Sequence, residues 1–70
     1  MEVRIDKWLW CVRIYKTRNQ ATEDCKAGKI KINGNPVKAS HNVKVGEIIE
    51  VSIDQLKKML LVKDLLDKRL

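Results

Sequence analysis

The chain contains no phenylalanine, one histidine, one proline, three glycines and two cysteines in 70 residues. Each scarcity removes a class of protein. Cys11 and Cys25 are too few for a disulfide framework, and with His41 as the sole histidine they fall short of a metal-ligand set. They read instead as two buried thiols in a reducing compartment. There is no Ser/His/Asp set and no Gly-rich phosphate loop, so neither an enzyme, a cofactor nor a small-molecule substrate is expected. No segment approaches the ~20 apolar residues of a membrane span, and the N-terminus lacks the apolar core of a signal peptide. The expectation is a cytoplasmic protein without a membrane partner. A chain this short buries only roughly 60% of the surface its unfolded state exposes, which argues against an enclosed active-site cleft. Residues 1–70 form one domain. Its hydrophobic content of 44% suffices for a core, which must be mainly aliphatic because only Trp8, Trp10 and Tyr15 are aromatic.

What the sequence does have is positive charge, and it is unevenly placed. Residues 1–44 hold ten Lys or Arg against four acids, residues 45–70 five against five, so the net charge of +6 comes entirely from the first part (10 − 4 = 6, 5 − 5 = 0). Arg4, Lys7, Arg13, Lys16, Arg18, Lys26 and Lys29 punctuate two short helix-like segments. Cations held at fixed spacing on rigid elements suit a polyanion with regularly spaced phosphates, whose counterions are released on binding. Nucleic acid is the partner this pattern favours over a solvated lysine surface.

Local signals order the chain as two helices followed by strands. Asp6 reads as the N-cap of the first helix, with Ile5 placed to staple against Trp10. Ile5, Trp8, Leu9 and Val12 form one apolar stripe, while Trp10 and Ile14 point away from it. Thr17-Arg18-Asn19-Gln20 fits a capping box, and the helix it opens runs from Arg18 to Ala27 and stops at Gly28. Ala21 and Cys25 give that helix a narrow face for close approach to the first. The period then changes to two at Lys29-Ile30-Lys31-Ile32, followed by the hairpin signal Asn33-Gly34, with Pro36 at a strand end or edge. Glu47 to Ile53 is a further strand with Ile49, Val51 and Ile53 on one face. The apolar tail fits a helix or a strand by periodicity. A strand near 58–64, pairing with 47–53 through a turn at Asp54-Gln55, is favoured because a small sheet needs the extra partner.

Arg4-Ile5-Asp6-Lys7-Trp8-Leu9-Trp10, Arg13, Lys16-Thr17-Arg18, Ala21, Gly28-Lys29-Ile30, Asn33-Gly34 and Val45-Gly46-Glu47-Ile48-Ile49-Glu50-Val51 together resemble the S4 RNA-binding domain, or αL motif. The Asp-Lys-Trp-Leu-Trp string and the Lys-Thr-Arg junction look more narrowly like the small ribosome-associated heat-shock proteins of the fifteen-kilodalton type. The likeness covers a core of residues 4–52 and extends less firmly toward Arg69. It implies an α+β fold: two N-terminal helices packed on a small, mainly antiparallel curved sheet, with one basic face for structured RNA. Similar proteins associate with ribosomal RNA of the large subunit, particularly one carrying a nascent chain and tRNA after stalled translation. Carried over by position, Arg4, Lys7, Arg13, Lys16, Thr17, Arg18 and Asn19 line the RNA face, with Lys29 and Lys31 at its border and Lys38 nearby. The heat-shock proteins usually continue into a further basic extension beyond the position matched by Leu70.

The chemistry of the residues supports the same face. RNA helices hide their major groove, so a compact basic platform acts on phosphates, 2′-hydroxyls and the shape of a junction. Arg13 and Arg18 can bridge phosphate oxygens bidentately, whereas Lys7, Lys16, Lys29 and Lys31 add attraction as flexible point charges. Thr17 is read as a helix cap or an RNA contact. Trp10 is read as packing under the C-terminal segment or as a base-stacking platform. Tyr15, beside Lys16, is a somewhat better candidate for an RNA contact than Trp10, and His41 is read in a solvated turn or on a phosphate. The expected function is a noncatalytic RNA-binding monomer acting in rescue or recycling of stalled ribosomes. The alternative is a detached RNA-positioning module of the kind found in pseudouridine synthases and aminoacyl-tRNA synthetases.

Overall fold

Local turn chemistry accounts for most of the element boundaries in the computed structural model, which describes residues 1–70. The order is α1 (Ile5–Cys11), α2 (Arg18–Lys26), β1 (Ile30–Ile32), β2 (Asn35–Pro36), β3 (Ile48–Ile53) and β4 (Leu56–Leu61). The four strands form one antiparallel sheet in the order β2-β1-β3-β4, so the fold is the expected α+β arrangement.

α1 begins without a side-chain cap, which corrects the placement of Asp6 as N-cap. Arg4 occupies that position in extended backbone, and the first helical N–H groups are taken by loop carbonyls: Ile5 donates to His41 at 2.7 Å and Asp6 to Ala39 at 3.4 Å. Asp6 is therefore inside the first turn, free to point its carboxylate at α2. The helix closes on Arg13, whose φ of 64° places it in the left-handed position that glycine usually fills. There the Arg13 N–H bonds the Trp10 carbonyl and the Ile14 N–H bonds that of Leu9.

α2 opens as its sequence specifies, with the Thr17 hydroxyl accepting from the Gln20 N–H at 3.2 Å. It ends one residue before the expected Ala27, which is the C-cap, and Gly28 at φ 76° lets the N–H groups of Gly28 and Lys29 reach the carbonyls of Cys25 and Asp24. Ala21 and Cys25 are buried in the core against which α1 also packs.

Asn33 and Gly34, at φ 54° and 78°, make a two-residue left-handed turn that sets the register Ile32↔Asn35 and puts Pro36 on the edge strand. Ile30, Ile49 and Val51 face the core with Ile5, Leu9 and Val62. The last strand is β4 rather than 58–64. Asp54 takes a left-handed conformation, so pairing resumes immediately at Ile53↔Leu56. At the other end Val62 still exchanges backbone bonds with Gly46 and Glu47, but the Asp64 carbonyl is captured by the Trp8 indole N–H at 2.9 Å, which draws the tail from the sheet onto α1. No helix is long and apolar enough to cross a membrane.

Candidate nucleic-acid interface

Asp6 is 1% exposed and joins three stretches of chain. Its Oδ1 accepts from the Lys7 N–H at 2.7 Å, from Arg4 Nε at 3.3 Å and from Arg18 Nη2 at 3.5 Å. Its Oδ2 accepts from Arg4 Nη2 at 3.0 Å and lies 3.0 Å from the Thr22 hydroxyl. A buried carboxylate is costly unless its lone pairs are occupied, and here both oxygens are satisfied. The two arginines nevertheless remain 48% and 45% exposed at their side chains, so their unused N–H groups face solvent.

From this corner a shallow groove of about 560 Å³ runs between α2 and the segment after β2, lined by Arg4, Thr22, Lys26, Lys38 and Ser40 among others. Arg18, Thr22 and Lys26 are spaced four apart on α2 and so share one helical stripe. Thr22 and Lys26 are absent from the residues carried over by resemblance; the four-residue spacing from Arg18 is the signal that identifies them. Lys7, on α1 beside Asp6, lies near enough to Cys11 to lower that thiol's pKa, against a larger rise from burial; Arg18 and Arg69 act on it in the same direction.

Other expected residues lie elsewhere. Lys16 and Asn19 line a separate groove with Tyr15, Gln20, Glu23 and Asp24, where two carboxylates offset the lysine. Thr17 is engaged as the helix cap. The Arg13 guanidinium donates to the Leu70 carbonyl, and Leu70 in turn donates to Cys11, so Arg13 faces the docked tail. Lys29 is 3.9 Å from Asp24, and Lys31 stands on the sheet beside Glu50.

Three residues weighed as possible RNA contacts have internal partners. Tyr15 is buried, with its hydroxyl donating to Asp24 at 2.7 Å; burial and this bond push its pKa far above the ordinary tyrosine value. At 7% exposed, its ring offers little surface for an RNA base. His41 pairs with Glu47 at 3.1 Å. Arg69 lies over one face of the Trp10 ring, 5.6 Å from its centroid, in a cation–π contact that brings the C-terminal segment onto that residue.

A two-helix corner on a four-stranded antiparallel sheet is also what comparison with known proteins returns. The S4 domain matches residues 3–49. The chain belongs to the S4 domain family. This S4 protein is 36% identical over 69 residues to heat shock protein 15 of Escherichia coli (strain K12), covering 99% of the chain and 52% of that relative. It is 40% identical over 65 residues to the RQC P-site tRNA stabilizing factor of Bacillus subtilis (strain 168), covering 93% of the chain and 76% of the relative. Among solved structures, heat shock protein 15 of Vibrio cholerae, described as trimeric, superposes with a TM-score of 0.93 at 38% identity, over 99% of the chain and 70% of that protein. The S4 chain thus spans about half the length of its Escherichia coli relative.

Proposed function

We propose that this S4 protein is a noncatalytic, cytoplasmic RNA-binding protein that associates with ribosomal RNA of the large subunit, in the state that carries a nascent chain and tRNA during rescue or recycling of stalled ribosomes. The observation that carries the reading is the convergence of Arg4, Lys26 and Lys38 along one groove with Arg18 at its corner, where Asp6 lies buried beneath the two arginines and Glu23 stands 3.8 Å from Lys26. Such a row of cations tracks a phosphate backbone and leaves sequence unread. The names of the relatives, a heat shock protein and a factor that stabilises P-site tRNA, support the ribosomal setting. Because the groove lies within one chain, one copy is taken as the binding unit.

Binding to purified ribosomal subunits and to free structured RNA across a salt series, with duplex DNA of equal length as competitor, tests the proposal. Tight binding confined to the large subunit is expected, with log affinity falling by ~0.7 to 0.9 per phosphate neutralised for each unit of log salt. Equal, weak binding of RNA and DNA without subunit preference would reduce the face to a general polyanion surface.

A further inference from the structure

We infer that Asp6 is a positioning residue that holds Arg4 and Arg18 as the two jaws of a single phosphate seat, so that one RNA phosphate bridges both guanidinium groups. The inference rests on the RNA-binding reading and goes beyond it by assigning which cations act as a unit and what organises them.

Arg4 precedes α1 and Arg18 opens α2, so the two are brought together only by tertiary structure. Like charges at close range repel, and in the free protein the carboxylate between them offsets that repulsion. Arg4 grips Asp6 through Nε and Nη2, a two-point contact that fixes the plane of its guanidinium as well as its position. Arg18 uses a single Nη2 contact, leaving its other N–H groups directed outward. Thr22 secures the same carboxylate from α2, its hydroxyl lying 3.0 Å from both Asp6 Oδ2 and the Arg18 carbonyl and donating to one at a time.

Two cations and one anion leave the seat with net positive charge, and both arginines are about half exposed. A phosphate arriving from solvent meets an Arg4 held at two points and an Arg18 tethered at one, so less freedom remains to be lost on binding than for free side chains. The buried Asp6 itself is shielded by the groups it holds and does not face the phosphate.

The sign of one substitution separates positioning from simple electrostatics. Asp6→Asn removes a negative charge from a phosphate-binding face, so charge alone predicts tighter binding. Positioning predicts the reverse, a loss of about tenfold for large-subunit ribosomal RNA, measured by filter binding with circular dichroism confirming the fold. In the same assay Arg18→Lys, which keeps the charge but loses the fork, costs about tenfold in the native background and almost nothing once Asp6 is Asn. Folded Asp6→Asn protein that binds as tightly as the native chain, or tighter, overturns the inference, as does an Arg18→Lys effect unchanged in that background.

Should Asp6→Asn fail to fold, the cycle of Arg4→Lys, Arg18→Lys and their combination decides. One shared phosphate predicts that the double variant loses little more than either single, whereas multiplying losses mean two independent contacts and no seat. If the native chain does not bind ribosomal RNA, the RNA reading falls and the seat with it. If the native chain binds and only the coupling is missing, the seat alone falls.

Discussion

The α1–α2 corner and the outer face of the sheet both carry cations, yet they hold them differently. At the corner, Arg4 and Arg18 are fixed to a buried carboxylate. On the sheet, Lys29 approaches Asp24 at 3.9 Å, Lys31 stands across from Glu50, and Lys57 stands across from Ser52, all on flexible stems. Counting charges makes the two regions look alike. Orientation distinguishes them, because a guanidinium locked in plane can present a fork, whereas a solvated ammonium supplies attraction from any direction. The comparison also shows that the basic and neutral parts of the sequence are not separate in space: the tail folds back so that Arg69 covers Trp10.

The largest difference between the regions should appear in stability. Arg4→Ala strips the two-point partner from buried Asp6 and should cost about 1 to 2 kcal/mol, less than a fully buried pair because Arg4 is half exposed. Thermal melting reads this as a drop of roughly 7 to 14 °C, while Lys29→Ala should leave the midpoint within about 2 °C. Equal shifts would erase the distinction.

RNA binding sharpens it further without disturbing Asp6. Lys26→Ala with Lys38→Ala should weaken binding about tenfold and reduce the salt slope by about two, one for each phosphate left without its lysine. Lys29→Ala with Lys31→Ala should cost less than about threefold, and Lys57→Ala with Lys58→Ala nothing measurable. Comparable weakening from all three pairs would mean that the binding face extends over the sheet.

The effect confined to the narrowest range of conditions is alkaline destabilisation of the corner. Burial pushes the Cys25 thiol from 9.0 up to about 11, with Asp6 and Asp24 adding to the rise, and Tyr15 is raised by burial and Asp24. The folded state therefore keeps these protons longer than the unfolded chain. That contribution is fully present below pH 9.0 for Cys25 and is lost as pH rises through about 11. Urea midpoints should fall across this interval, and Tyr15→Phe with Cys25→Ala should flatten the decline. A midpoint that stays level in the native chain would show that these groups do not feel the burial assigned to them.

Features governed by neighbouring residues are legible in the sequence. Asn33-Gly34, Gly28 and Thr17 each act over a few residues, and the turn, helix end and cap lie where local chemistry puts them. Asp6 misleads because an acid before an apolar stripe looks like a cap, whereas beyond its neighbours Arg4 and Lys7 its carboxylate reaches Arg18 and Thr22, 12 and 16 residues away. Tyr15 looks available beside Lys16, but its partner Asp24 lies nine residues on, across the helix junction. Of the expected RNA face, Arg4, Arg18 and Lys38 converge around the corner and groove, while Lys16 and Asn19 face another groove. One-dimensional charge could not make that division, because it depends on which side of α2 each residue occupies.

The carbonyls of Ala39 and His41 that receive the first N–H groups of α1 have a consequence for motion. With Val43 donating to the Val3 carbonyl and Arg4 bridged to Asn42, residues 3–6 and 39–43 are laced into one unit. Those amides can exchange with solvent only when the lacing opens, and opening it would release the backbone that carries Arg4. A phosphate gripping Arg4 would hold that unit shut, so the slowing of hydrogen exchange would extend to the Val43 amide, on a loop far along the chain from the arginine itself.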